Sequence, residues 1–166
     1  MDVEIRPVRP EDAGELADLL NAIIARGGTT ALEEPFTSED LAETYLTGPK
    51  VICCFVAVDR ATGRLEGFQT LGRLATLPDD VGDIGTFARV DGTQRGIGSA
   101  LFAATRDEAR RRGLAAINAT IRADNAGGLA FYGRMGFADH AVITAAPLKS
   151  GARVDRILRR YDLRAG

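Results

Sequence analysis

The chain has 166 residues, 45% apolar and 27% charged, a composition that fits one ordinary globular domain and excludes disordered and fibrous classes. A formal net charge of -2 and a pI near 5.5 exclude a protein-wide attraction to nucleic acid or to anionic lipid, so any anion site must be local. Cys53 and Cys54 are adjacent in an apolar run and would point to opposite sides of a strand, which argues against a disulfide. No basic-then-apolar leader pattern and no apolar stretch of about 18 residues is present, so the cytoplasm is the expected location and no membrane partner is expected.

In chain order, residues 3–8 read as a first strand. Pro10 then opens a segment in which Ala13, Leu16, Ala17, Leu20, Ile23 and Ile24 follow helical spacing, and Gly27-Gly28 closes it. Ser38-Glu39-Asp40-Leu41 offers a capped start to a second short helix ending near Gly48-Pro49. The β-branched run 51–58 and the segment 65–76, joined by Asp59-Arg60-Ala61-Thr62-Gly63, predict an antiparallel pair, and 83–90 predicts a third strand. Ile97, Ala100, Leu101 and Ala104 line one face of a helix over 97–112, whose basic end Arg110-Arg111-Arg112 offsets the macrodipole. A strand over 115–121 would lie parallel to the one before that helix. A helix over 125–134 and strands over 137–146 and 154–163 complete an α+β domain with a mixed sheet, spanning residues 1–166 as a single unit.

The segment Gln94-Arg95-Gly96-Ile97-Gly98-Ser99-Ala100 stands between a predicted strand and a predicted helix. A helix start carries unpaired N–H groups and the positive end of the dipole, and missing Cβ atoms at Gly96 and Gly98 would let an anion reach them. A P-loop would need Gly-Lys-Ser/Thr, and the dinucleotide fingerprint would need a third glycine two residues past the second; Ser99, Ala100 and Leu101 follow Gly98 instead. Arg95-Gly96-Ile97-Gly98-Ser99-Ala100 resembles the pyrophosphate loop of GCN5-related N-acetyltransferases, with Thr93 where that family usually has Gln or Arg. Downstream, Asn125-Ala126-Gly127-Gly128-Leu129-Ala130-Phe131-Tyr132-Gly133-Arg134-Met135-Gly136-Phe137 resembles the family's second signature, with Gly128 replacing the commoner Ala or Ser.

The resemblance implies the fold of that family: a central mixed, largely antiparallel sheet flanked by helices. It implies acetyl-CoA as the acetyl donor, no metal, and transfer to a primary amine of a small molecule rather than to nucleic acid. It assigns Tyr132 as the acid that protonates the departing thiolate and Asn125 as a polar contact to the cofactor. Gln94, Arg95, Gly96, Ile97, Gly98 and Ser99 would form the pyrophosphate loop. Thr86, Phe87 and Ala88 fall where the family's sheet splays and a bulge frees backbone groups for the pantetheine arm.

A phenol with an ordinary pKa near 10 suits the acid role, because it stays protonated at neutral pH yet can donate to a developing thiolate; ordinary aromatic packing of Phe131-Tyr132 is the alternative. Asp83 matches the position of a catalytic Glu in phosphinothricin acetyltransferases and their methionine sulfoximine-acetylating relatives, and a turn-stabilising role is its alternative. The stretches 28–36 and 149–155 are also similar to that subfamily, which implies a small amino acid or its analogue as acceptor and a homodimer as the assembly. Arg73 and Arg89, placed on strands near the presumed cleft, are the candidates for holding the acceptor's carboxylate. An acyl-CoA sensor without turnover, and an acetyltransferase acting on a protein N-terminus or other amine, are the competing readings.

Overall fold

The computed structural model describes residues 2–92 and 95–164. After β1 (Val3–Pro7) come α1 (Ala13–Arg26), α2 (Ser38–Leu41), β2 (Val51–Asp59), β3 (Leu65–Gly72) and β4 (Val81–Ala88). These are followed by α3 (Ile97–Arg111), β5 (Ala116–Arg122), α4 (Ala126–Met135), β6 (Ala138–Pro147) and β7 (Arg153–Asp162). The strands form one seven-stranded sheet in the order β1-β2-β3-β4-β5-β7-β6, in which only β4 and β5 run parallel. The crossover from β4 to β5 is α3, as a parallel pair requires. The mixed, largely antiparallel sheet expected from the sequence is thus present, and no described helix is long and apolar enough to cross a membrane.

Helices cover both faces of the sheet. On one face Leu16, Leu19, Leu20 and Ile23 of α1 pack with Cys54, Val56, Leu65 and Phe68 of β2 and β3. On the other, Phe102 of α3 and Tyr132 of α4 join Leu71, Ile84, Ile117 and Phe137. Strand β3 is covered from both sides, which is why Leu65 through Leu71 are all buried, the polar Glu66, Gln69 and Thr70 among them. The adjacent cysteines do separate as expected, Cys54 into the α1 core and Cys53 against the α3 side.

Several boundaries differ from the sequence reading. The run expected to continue to residue 76 stops at Gly72, because the chain turns at once, with Leu77 N donating to Leu74 O at 3.1 Å ahead of Pro78. That turn starts β4 two residues early, at Val81. The second helix is one turn of α-helix capped by Thr37, whose hydroxyl accepts from Asp40 N at 3.1 Å, and it continues as a π turn over Ala42–Leu46. The wider turn carries Tyr45 toward the sheet, where its carbonyl accepts the Thr70 hydroxyl at 2.6 Å.

The entry to α1 is locked to β1 by charge. Arg6 donates two parallel hydrogen bonds to Asp12, at 2.8 and 2.9 Å, and Asp12 also accepts from Arg9 N at 2.7 Å. Burial pushes the Asp12 carboxyl up, but the bonds from Arg6 and Arg9 and their charges outweigh it and hold the group below its ordinary value. A depressed folded value stabilises the protein above the unfolded pKa, near 3.9, and that contribution is lost as pH falls through the folded value. We expect Asp12→Asn, which leaves the Arg6 guanidinium without its counter-charge, to cost about 3 kcal/mol at neutral pH and progressively less in acid. Urea unfolding of both proteins at neutral and acidic pH measures this; a pH-independent difference would mean that the charge contributes nothing.

Candidate active site

Strands β4 and β5 pair from Val81 opposite Ala116 to Ile84 opposite Ala119 and then part, although β4 continues to Ala88 and β5 to Arg122. On its other edge β4 stays in register with β3 from Asp83 opposite Gly72 to Ala88 opposite Gly67, without a shift. The expected bulge in this strand is therefore absent. Divergence of β5 does the same work, freeing the backbone of residues 85–88 on the side that faces the gap.

The gap is closed at its ends by helices. Gly96 caps α3 at φ 79°, a left-handed angle that suits glycine, and no acidic side chain occupies the first turn. Its leading N–H groups are thus left for an anion. Gly98 serves by close approach: a Cβ there would stand 2.6 Å from Cε1 of Phe131, so any side chain would force the Phe131 ring out of its place against α3. Of the loop residues named from the sequence, Gly98 lines the cavity, Arg95, Gly96 and Ser99 are exposed around the helix start, and Ile97 is buried in the core with Ala57 and Leu101. Ile97 could therefore contribute only through its backbone, and Gln94 lies outside the described residues.

Asn125 caps α4, its Oδ1 accepting from Gly128 N at 3.0 Å and its Nδ2 donating to Thr29 O at 3.0 Å. These bonds fasten Thr29, in the 28–37 segment, to the head of α4, and Asn125 also lines the cavity beneath. Arg122 does likewise, reaching Thr30 O at 3.0 Å while paired to Asp124. The segment's far end is held by Asn21, which exchanges two hydrogen bonds with Phe36. Glu34 meets Lys149 at 2.9 Å, so the two stretches singled out from the sequence touch each other.

The result is a cavity of about 760 Å³ lined on one wall by Asp83, Thr86 and Phe87, with Ala88, and on the other by Gly98 and Tyr132. Tyr132 is 8% exposed, its ring packed edge-on against Phe131 and Phe137. Its hydroxyl stands 2.9 Å from the Thr86 hydroxyl, which in turn accepts from Gln69 Nε2 at 3.0 Å. Burial, opposed by the Thr86 bond and aided by the negative charge of Asp83, pushes the phenol up to about 12. Asp83 Oδ1 accepts from Asn118 Nδ2 at 2.9 Å. Burial raises the Asp83 carboxyl above its usual range, against the pull of the Asn118 bond and the Arg160 charge. Tyr45 faces the same carboxylate, and burial together with that charge raises its phenol too.

Two arginines were expected near an acceptor. Arg73 lines the cavity just past the end of β3, with Nη1 donating to Asp79 O at 3.0 Å. Arg89 is not brought there: its guanidinium holds Glu15 at 2.6 Å and Leu65 O at 2.6 Å, bracing β4 against α1. Lys50 and Arg156 line the cavity instead, and sequence reasoning passed over both, as it did Tyr45, Gln69 and Asn118. The signal for the last two was available, since each is a polar residue at a buried position inside a strand.

The model of the acetyltransferase (GNAT) family matches residues 28–137, more than half of the chain. No curated protein matches. Among solved structures, an N-acetyltransferase from Staphylococcus aureus Mu50 is similar at a TM-score of 0.83 and 19% identity, covering 99% of this chain and 100% of its own. A phosphinothricin acetyltransferase from Sinorhizobium meliloti in complex with AcCoA is similar at 0.84 and 20% identity, covering 98% of this chain and 89% of its own. A ribosomal-protein-alanine N-acetyltransferase from Brucella melitensis follows at 0.81 and 19%, covering 96% and 99%. The parted strands, the glycine-capped helix and the Asn-to-Phe segment that supplies Tyr132 thus agree with the match to the sequence itself, and the chain belongs to the acetyltransferase (GNAT) family.

Proposed function

We propose that this acetyltransferase moves an acetyl group from acetyl-CoA directly to the primary amine of a small acceptor that carries an anionic group, such as an amino acid or its analogue. One observation carries the reading: a half-buried carboxylate and a buried phenol, Asp83 and Tyr132, line a single cavity at the point where β4 and β5 part. Acetyl-CoA supplies an activated acyl group as a thioester. The N–H groups heading α3 suit its pyrophosphate, and the unpaired edge of residues 85–88 suits the amide-bearing arm. Asp83 accepts a proton from the acceptor's ammonium, directly or through one water, which frees the lone pair that forms the new C–N bond. Tyr132, whose raised pKa holds its proton until then, gives it to the sulfur as the C–S bond breaks, and regains one as the nitrogen sheds its remaining excess proton to become the neutral amide.

The acceptor class is supported by charge. Asp83 is the one carboxylate among the described residues lining the cavity, against Lys50, Arg73, Arg122 and Arg156, of which Arg122 is already paired. An amine that also bears a carboxylate would place its two charges on Asp83 and on one of the remaining cations. A panel of amines assayed by release of free CoA thiol should therefore show turnover with amino acids or their analogues and about tenfold or greater loss with the matching decarboxylated amines. Equal rates for both would remove the anionic group from the reading, and binding of acetyl-CoA without turnover on any amine would favour a sensor.

Two substitutions test the chemical roles. Tyr132→Phe removes one oxygen from a ring held by Phe131 and Phe137, so we expect turnover to fall about tenfold to a thousandfold with little change in acetyl-CoA affinity by calorimetry. Unchanged turnover, in an enzyme limited by chemistry, would return the phenol to packing. Asp83→Asn should lower turnover about a hundredfold at pH 7 and gain more than the parent toward pH 9, where free amine becomes abundant without a base. A loss that is the same fraction at every pH would show that the carboxylate takes no proton.

A further inference from the structure

Asp83 is one end of a row of side chains that crosses three neighbouring strands. It lies opposite Asn118 in the parallel pair β4–β5, and Asn118 lies opposite Arg160 in the antiparallel pair β5–β7, so the three stand side by side on one face. Asn118 is 1% exposed and every polar atom of its amide is used: Nδ2 donates to Asp83 Oδ1 at 2.9 Å and to Thr120 Oγ1 at 3.2 Å, and Oδ1 accepts from Arg160 Nε at 2.8 Å. The guanidinium decides which way the amide faces. Arg160 can only donate, so Oδ1 must turn toward it, and the NH₂ group is left to face Asp83, where it can meet only an acceptor.

We propose that Asn118 and Arg160 are positioning residues for Asp83: Arg160, acting through the oriented amide of Asn118, fixes one carboxylate oxygen as a hydrogen-bond acceptor and leaves Oδ2 to take the amine proton. This rests on Asp83 being the base. Neither positioning residue lines the cavity; Asn118 reaches it through Asp83 and Thr120. The other groups around Asp83 are Tyr45 from the π turn, Tyr132 from α4, Thr120 beside Asn118, and Lys50, Arg73 and Arg156 on the cavity wall; Gly72, its partner on β3, brings no side chain. Of the two opposing influences, burial favours the protonated acid, whereas the Asn118 bond and the Arg160 charge favour the carboxylate.

Removing the row's far end should therefore leave Asp83 protonated over a wider range of pH. We expect Arg160→Met to lower kcat/KM about tenfold near pH 6 and within about twofold near pH 9, moving the acid limb of the profile to higher pH. Arg160→Lys, which keeps the charge without the planar fork, should recover part of the loss, and Asn118→Leu should exceed it. The midpoint of the Asp83 carboxyl, followed by carbon-13 NMR in the free protein, should move upward in the same order, a readout that a merely structural contact between strands would not shift. An unmoved midpoint, or an equal loss of activity at every pH, overturns the proposal. The two readings fail separately: an acid limb that keeps the parent's midpoint in Asp83→Asn refutes the base, whereas a limb that gives way in Asp83→Asn to the amine's own rise at higher pH, but keeps its midpoint in Arg160→Met, refutes the positioning row.

Discussion

Parallel pairing between β4 and β5 ends at Ile84 and Ala119, and a sheet interior can tolerate such a break only if the freed N–H and C=O groups find other partners. Much of the site follows from keeping that gap open. Gly98 lets α4 approach α3 through Phe131, Asn125 and Arg122 fasten the 28–37 segment across the top, and the gap is left with one wall carrying Asp83 and another carrying Tyr132. A bound molecule with amide and carbonyl groups of its own would complete the ladder that β5 abandons, which is how a flaw in a sheet becomes a binding surface.

Two acidic side chains, Asp12 and Asp83, have opposite effects on the fold. Asp12 is saturated with donors and sits below its ordinary pKa, so its ionised form supports the native state at neutral pH. Asp83 receives one donor bond from Asn118 and sits above its ordinary pKa. A raised folded value stabilises only below the unfolded pKa and loses that contribution as pH rises through the folded one, so the carboxylate form of Asp83 opposes folding at neutral pH. The difference between the two lies in how many hydrogen bonds each is allowed.

Local pattern made much of this legible. Helical spacing, the glycine turn and the Asn-to-Phe segment lie within continuous stretches of sequence, and each maps onto α1, α3 and α4 within a residue or two. The strand pairings β2–β3 and β4–β5 were legible too, but side-chain contacts made between strands were not. Arg73 and Arg89 read alike in sequence, yet the turn at Leu74 leaves the first at the cavity while Glu15, fifty residues before Leu65, draws the second away. The Asp83–Asn118–Arg160 row joins residues from three strands and exists only once the register is set, so no spacing in the chain announces it. The bulge expected in β4 came from the resemblance, and the regular β3–β4 pairing replaces it.

The separation of Cys53 and Cys54 into the two cores bears on chemical self-protection. A thiolate exchanges acyl groups with thioesters, so a protein proposed to handle one is exposed to acylation of its own cysteines. Burial pushes Cys53 up to about 12 and Cys54 higher still. Both thiols therefore stay protonated at neutral pH, with Cys54 buried and Cys53 half-buried. Packing thus holds the two thiols, the side chains most readily acylated by a thioester, in their unreactive protonated form.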